Sequence, residues 1–253
     1  VKLNGTTRLS PMQDIGAPFI PNRFEFQNTG TSAFTLDGVQ LEFVANGTTQ
    51  PSIFLNRNAT CVIKNAIEVP AGTTLNLTIG TFGVTLNGLI TGEGALDKSS
   101  NSGGINLYNA YNTFSGGLTI RGNNSNWAKF NVNANGAMGT GPVKLYGGSM
   151  STTLNNPGGL IFYGTSSHTN TIELFKDSPI FAGMPNGEGT VTLDGTLDLS
   201  SYTLHLRGGG NGTINGIISD GDTSAVIKND PGTWTLAGDN TFTGNLTINN
   251  GTI

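Results

Sequence analysis

Charged side chains are scarce in this chain of 253 residues, where Asp, Glu, Lys and Arg make up 11%, against ~25% in an ordinary soluble domain. The net charge is only −4, and the twelve Lys and Arg residues are spread thinly along the sequence. Neutralisation of nucleic-acid phosphates requires clustered cations. The sequence therefore predicts no nucleic-acid partner and a surface that is polar without being ionic.

Cysteine and long apolar runs are also nearly missing. The single cysteine, Cys61, cannot form an internal disulfide, and we expect it to be a small buried hydrophobe. No window contains 18 consecutive apolar residues, so the sequence predicts no transmembrane helix in this chain. The opening VKLNGTTRLS has no charged start followed by an apolar run, and it does not read as a signal peptide.

The sequence is instead rich in glycine, with 38 residues, and in short segments where apolar and polar residues alternate. Alternation with a period of two is typical of strands with one buried face, and apolar residues at helical spacing are not found. Asn-Gly, Asp-Gly and Gly-Gly pairs separate these segments and indicate turns. Examples of the alternating apolar positions are Leu75, Leu77, Ile79, Val191, Leu193, Leu197 and Leu199.

Two all-β architectures accommodate many short alternating strands. In an antiparallel β-sandwich the Asn-Gly pairs would reverse the chain in hairpins. In a parallel β-helix, or β-solenoid, each turn of chain stacks on the previous one, and Gly and Asn form the corners. The strands are very short and their spacing is repetitive, which favours the parallel β-helix; the antiparallel sandwich is the alternative.

An internal repeat supports the solenoid. The segment NTFSGGLTIRG at 112–122 returns as NTFTGNLTINNG at 240–251, and NGLI at 87–90 returns as NGII at 215–218, with the same offset along the chain in both cases. Repeats at fixed spacing are typical of stacked architectures. We therefore predict an irregular N-terminal β lead-in or cap over residues 1–60, and a β-helix over 61–253 with two related halves at about 74–150 and 202–253.

The segment GTWTLAGDNTFTGNLTINNGTI at 232–253 resembles the autotransporter-associated β-strand repeat. ANGAMGTGPVKLYGGSM at 134–150 is similar to the segment that often follows such a repeat. The resemblance implies a right-handed β-helix at the bacterial outer surface or outside the cell, with Phe in the core, Gly at a corner and aliphatic residues along one sheet. The repeat positions are Asn112, Phe114, Gly116, Leu118 and Ile120 in the first copy, and Asn240, Phe242, Gly244, Leu246 and Ile248 in the second.

Side chains suited to catalysis or metal binding are few and scattered. We interpret His168 and His205 as exposed bystanders, since two isolated histidines make a poor metal site. Clustered carboxylates beside a cation would allow acid–base cleavage of a polysaccharide or Ca²⁺ binding, and the positions considered are Asp194, Asp198, Asp220, Asp222 and Lys228. The resemblance brings no catalytic motif, and the sequence assigns no catalytic residue, cofactor or metal.

The expected function is therefore that of a structural or adhesive segment of a surface β-solenoid. Open coil ends carry unpaired backbone groups, so we expect the chain to stack end to end with copies of itself or with further repeats, forming a fibre. The alternatives are a polysaccharide lyase or hydrolase and a glycan-binding spike. For the spike, Tyr108, Tyr111, Trp127 and Tyr163 are the aromatic residues that would stack on sugars, against a reading as ordinary corner packing.

Overall fold

The computed structural model describes residues 1–3, 12–13, 16–28, 32–57, 59–80, 82–99, 103–122, 129–149, 158–184 and 187–253. These residues form strands and turns without a helix, and no membrane-spanning helix is found among them. The strands of the first half are β1 (Lys2–Leu3), β2 (Met12–Gln13), β3 (Arg23–Asn28), β4 (Phe34–Gly38), β5 (Leu41–Glu42), β6 (Ser52–Arg57), β7 (Cys61–Ile63), β8 (Ile67–Glu68), β9 (Thr74–Ile79), β10 (Val84–Leu86), β11 (Ile90–Thr91), β12 (Ala95–Lys98), β13 (Gly104–Leu107) and β14 (Leu118–Arg121). The later strands are β15 (Lys129–Val132), β16 (Val143–Tyr146), β17 (Gly159–Phe162), β18 (Gly164–His168), β19 (Ile172–Lys176), β20 (Ser178–Ala182), β21 (Gly189–Leu193), β22 (Leu197–Asp198), β23 (Thr203–Arg207), β24 (Asn211–Ile214), β25 (Ile218–Ser219), β26 (Ala225–Lys228), β27 (Thr233–Leu236) and β28 (Leu246–Ile248).

The strands stack into a parallel β-solenoid of about nine turns. In the described part of the chain, the first sheet has the order β1-β3-β6-β9-β12-β14-β16-β19-β22-β25, and the second has the order β2-β4-β7-β10-β13-β15-β17-β20-β23-β26-β28. A third face carries a sheet β11-β8-β5 at one end and β18-β21-β24-β27 at the other. The pairings of these strands are parallel. The predicted stack of parallel coils is confirmed, and the antiparallel sandwich is wrong.

The core is a set of columns in which like side chains lie over like. Leu96 pairs with Leu75 below and Leu118 above, and each is buried. The column continues through the first sheet as Val143, Ile172, Leu197 and Ile218. Burying one such side chain contributes about 1.5–3 kcal/mol. Cys61 is one of these buried residues, in agreement with its predicted role.

The repeated Asn-Gly pair marks a corner where the backbone of one coil lies directly on the coil below. A Cβ atom at Gly88 would lie 1.8 Å from the carbonyl oxygen of Asn65. At Gly216, the equivalent glycine of the later copy, it would lie 1.9 Å from the carbonyl oxygen of Gly195. The recurrence of glycine in NGLI and NGII therefore has a steric cause and does not mark a hairpin.

The described part of the N-terminal region 1–60 contributes to the same two long sheets. Strand β3 pairs with β6 in the first sheet, and β4 pairs with β7 in the second. Phe24, Phe26 and Phe43 are buried in the core of these coils, with Phe24 and Phe26 stacked at 6.2 Å between ring centres. The division at residue 60, and the role of this region as a lead-in or cap, stay predictions.

Candidate functional site: the repeat positions and the open coil end

The two copies of the repeat lie on neighbouring faces of the solenoid. Strand β14 of the first copy belongs to the first sheet, whereas β28 of the second copy belongs to the second sheet. The residues just before them follow the same rule: the N–H of Thr113 donates to Ile90 on the third face, and the N–H of Thr241 donates to Ile218 on the first sheet. From the first copy to the second, the chain therefore completes a whole number of turns and then advances by one further face of the solenoid.

The asparagine of each copy binds the coil beneath it. The Asn112 side chain accepts a hydrogen bond from the Ile90 N–H at 2.8 Å and donates one to the Ala137 carbonyl in the coil above, also at 2.8 Å. Asn240 accepts a bond from the Ile218 N–H at 2.9 Å. These side chains satisfy backbone groups at corners where the strand ladder is interrupted, which buried backbone requires.

The phenylalanine and glycine of each copy lie at a corner. Phe114 is fully buried, and Phe242 is half-buried against the same core. A Cβ atom at Gly116 would lie 2.5 Å from the backbone of Gly94, and one at Gly244 would lie 1.3 Å from the carbonyl oxygen of Ser224. Both glycines stand where a side chain would collide with the coil below.

The two copies differ most clearly in the exposure of their aliphatic side chains. Leu118 and Ile120 are 1% and 0% exposed, because Val143 and Leu145 of the next coil cover them. Leu246 and Ile248 hold the same positions in the second copy and are 45% and 52% exposed. Strand β28 also ends the second sheet in the described structure. This last coil therefore presents apolar side chains beside the open edge of β28, and we call it the open coil face (residues 233–253).

Two buried lysines belong to the repeat, and the sequence reasoning missed them. Lys98 and Lys228 end strands β12 and β26 and point into the core with no exposed surface. The ammonium of Lys228 donates to the carbonyls of Asn229, Asp230 and Asn250 at 2.5, 2.6 and 3.2 Å. Burial lowers the pKa of Lys98 to about 8 and also lowers the pKa of Lys228. The sequence signal for these lysines was the similarity of two segments, ALDK at 95–98 and AVIK at 225–228, each of which precedes a copy of the repeat.

A buried ion pair joins the last coils. The Arg207 guanidinium donates to both carboxylate oxygens of Asp230, at 3.0 and 3.1 Å, and both side chains are buried. Asp230 also accepts the N–H of Gly208 at 3.1 Å, and its own φ is 65°. The indole N–H of Trp234 donates to the Arg207 carbonyl at 3.1 Å. This network fixes the corner between the second sheet and the third face.

The candidate carboxylates serve as hydrogen-bond acceptors between coils. Asp194 accepts bonds from Asn215 and Ser167, both at 2.7 Å, and these bonds lower its pKa. Asp220 accepts the N–H of Thr243 at 2.8 Å, and its bonds to Thr243 and to the Ser224 hydroxyl hold its pKa below the usual range. The described residues contain no group of three or more His, Cys, Asp or Glu that would hold a metal ion.

The structure does not bring Asp222 and Lys228 together in one site. Asp222 is exposed, whereas the Lys228 ammonium lies inside the solenoid on backbone carbonyls. Asp198 is exposed on the first sheet, where its carboxylate accepts the N–H of Ser200 at 2.8 Å. The buried ammonium of Lys228 and the exposed carboxylates of Asp198 and Asp222 therefore do not form one site.

His168 is not an exposed bystander. It is 3% exposed, faces the core from β18, and lies 4.9 Å from the Phe162 ring. Neither of its ring nitrogens has a hydrogen-bond partner among the described residues. Burial lowers its pKa from 6.5 to about 4, so the imidazole is neutral at pH 7. His205 is half-buried, faces Asn229 at 3.3 Å, and also has a pKa lowered by burial.

We expect His168 to make the solenoid sensitive to acid. Its pKa is lower in the folded chain, so the unfolded chain binds the proton first, and the stability from this residue is complete above about pH 6.5 and lost as the pH falls toward 4. The loss is roughly 2 kcal/mol after a discount for residual solvent. Urea unfolding of wild type and His168→Leu between pH 7 and 4 measures it. Equal slopes in the two proteins would contradict the assignment, and Phe162→Leu, which alters the same part of the core without removing a titratable group, is the control.

The geometry defines a class of protein: a repetitive parallel β-solenoid in which the recurring side chains bind one coil to the next. A family model described as the passenger-associated-transport-repeat matches residues 226–253. The chain carries a repeat of this autotransporter-associated family.

One curated protein that matches is the Adhesin BmaC autotransporter of Brucella suis biovar 1 (strain 1330), which is 40% identical over 65 residues. That alignment covers 25% of this chain and 2% of the adhesin. No solved structure gives a significant match. Autotransporter passenger domains are secreted and displayed on the surface, a location that fits this chain.

Proposed function

We propose that the chain is a rigid structural and adhesive segment of a surface-displayed bacterial β-solenoid, and that its open coil face stacks on a further coil of the same kind. That coil comes either from further repeats or from a second copy of the chain, so that segments join end to end in a fibre. The observation that carries the proposal is the contrast between Leu118 and Leu246, which hold one repeat position at 1% and 45% exposure.

The covering strand in the first copy indicates what the open coil face would accept. Val143 lies over Leu118 and Leu145 lies over Ile120, in parallel register. A coil that brings two alternating aliphatic residues over Leu246 and Ile248 would bury apolar surface and pair the β28 edge at the same time. Unpaired strand edges are templates for such addition, and the spacing of coils sets a rise of about 4.8 Å for each one added.

The matching family and the adhesin relative support the surface role. Passenger repeats belong to proteins displayed outside the cell, and the relative is named as an adhesin. A solenoid suits this role because its hydrogen-bonded ladders run the length of the rod and each coil needs only its neighbours for stability. The adhesive surface is then held away from the cell by a stiff support.

End stacking predicts self-association of the isolated chain, because another copy is then the available partner. Sedimentation analysis over a wide concentration range should show association for wild type and a monomer for Leu246→Asp with Ile248→Asp. Ile217→Asp is the matched control, since Ile217 is also exposed but lies at a corner. A wild-type chain that stays strictly monomeric at high concentration would overturn stacking between copies of the chain.

A further inference from the structure

One corner of the solenoid carries a regular column of amides and phenols. Asn87, Tyr108, Asn133 and Tyr163 each directly follow a strand of the second sheet, in consecutive coils. We call these four residues the Asn–Tyr column. Their backbone N–H groups donate in turn to the carbonyls of Ile63, Leu86, Leu107 and Val132 in the coil below. Each residue therefore stands over the previous one along the axis of the rod.

Tyr108 and Tyr111 face solvent at this corner, and Tyr163 is half-buried. Tyr108 is 52% exposed, and Tyr111, a little further along the same coil, is 80% exposed. Within the described residues, neither ring stacks on another aromatic ring, nor does that of Tyr163. Trp127, also considered for sugar stacking, lies outside the described residues.

Some aromatic side chains on the outer surface are paired. On the first sheet, the Tyr146 ring stacks on Phe175 at 4.7 Å with an angle of 7° between the planes. The Arg121 guanidinium covers Tyr146 at 4.6 Å. Tyr108 and Tyr111 differ from this pair, because their exposed rings have no aromatic partner among the described residues and can accept a ligand.

The Tyr163 phenol is affected by its surroundings and by Tyr108. Burial is the main cause of the raised pKa of Tyr163, and the nearby Tyr108 raises it further. Since they lie two coils apart, their separation along the axis is about 10 Å. That distance is comparable to the length of two linked sugar rings in an extended chain. The Asn133 amide nitrogen donates to the Leu107 and Asn131 carbonyls, which leaves its side-chain oxygen as an acceptor.

We propose that the Asn–Tyr column, together with Tyr111, binds an uncharged polysaccharide that lies along the rod axis. Tyrosine rings present an apolar face to the C–H face of a sugar and a hydroxyl to its polar edge. The intervening asparagines supply amide groups for the sugar hydroxyls. The four column residues carry no charge, and the charged Lys64, at the same corner in the coil below Asn87, lies two coils from Tyr108. The stretch of the column from Tyr108 to Tyr163 is therefore uncharged, which is why the ligand is a neutral glycan. The inference rests on the proposed adhesive role and is independent of stacking at the open coil face.

The test uses the whole chain and three neutral hexasaccharides: cellohexaose, laminarihexaose and mannohexaose. Calorimetric titration should detect binding of at least one, with an affinity that barely changes as salt is raised, since no ions are released. Tyr108→Ala should weaken binding about tenfold or more, the loss expected from removing one stacked ring. Tyr108→Phe keeps the ring and should retain most of the affinity. Tyr202→Ala, an exposed tyrosine at another corner, should bind as wild type.

Several results would overturn the inference. One is no binding of any neutral hexasaccharide at millimolar concentration, and another is binding that Tyr108→Ala leaves unchanged. Binding of a heparin hexasaccharide alone, lost as salt is raised, would assign the site to an anionic ligand and reject a neutral one. An immobilised protein ligand whose capture depends on Tyr108 while no hexasaccharide binds would also reject it. Sedimentation of the same samples measures association at the open coil face, so a failure to bind glycan is distinguished from a failure of end stacking.

Discussion

Replacing Asp230 by Ala is expected to lower the free energy of unfolding by about 3–5 kcal/mol, because it leaves the buried Arg207 charge without its carboxylate. Arg207 is 2% exposed, and both of its hydrogen bonds to Asp230 would be lost. The free N–H of Gly208 adds to the loss, since it would no longer have this acceptor. Equilibrium urea unfolding followed by circular dichroism measures the effect.

Two variants isolate the charge from the backbone conformation at this corner. Asp230 has φ 65°, a region that Asn tolerates better than Ala, so Asp230→Asn should lose the charge pair without added backbone strain. Combining Arg207→Met with Asp230→Asn should recover part of the loss, because no buried charge is then unpaired. Asp239→Ala is exposed and should change stability by at most about 0.5 kcal/mol. An Asp230→Asn variant as stable as wild type would refute the role of the ion pair.

Replacing Phe114 by Ala should cost about 3–5 kcal/mol, the usual loss for a fully buried phenylalanine. The same change at Phe242 should cost clearly less, since that ring is only half-buried in the open coil face. The pair is a matched test, because both residues hold one position of the repeat and differ in whether a coil covers them. Thermal and urea unfolding of the two variants at low concentration give the comparison.

The difference should shrink when coils stack. At concentrations where the wild-type chain associates, the open coil face is covered and the cost of Phe242→Ala should rise toward that of Phe114→Ala. Equal losses in the two variants at low concentration would mean that the last coil is already buried in solution. A small loss for Phe114→Ala would instead contradict the packing of the core.

Much of the fold follows from short-range signals. The alternation in Val191, Leu193, Leu197 and Leu199 predicts which side chains point inward, and all four are buried. The glycine of the Asn-Gly pair also marks the corners, although in hairpins that pair has a different meaning. The local sequence alone does not distinguish an Asn-Gly corner of a solenoid from an Asn-Gly hairpin turn. The recurrence of very short strands with similar corners made the distinction, because a stack of coils repeats such a unit many times and a sandwich need not.

The features that sequence reasoning missed lie at strand ends, where alternation gives no information about surroundings. Lys228 points inward because carbonyls of the following corner accept its ammonium, and only the three-dimensional path of the corner provides them. Lys98 ends its strand in the same way and is also buried. His168 lies at the end of β18 and is covered by residues distant in sequence. Arg207 and Asp230 are far apart in sequence, and they meet because one coil separates them. Coil lengths in this chain vary, so such partners could not be assigned beforehand.

The shift of one face between the two copies has a consequence for any longer rod built with this interval. Because the cross-section has three faces, the motif would return to its starting orientation only after three intervals. The repeat positions would then follow a helical path around the solenoid axis and would not form a straight line along one face. Successive copies of the repeat would lie on all three faces, so the same side chains would be presented in every direction around the rod.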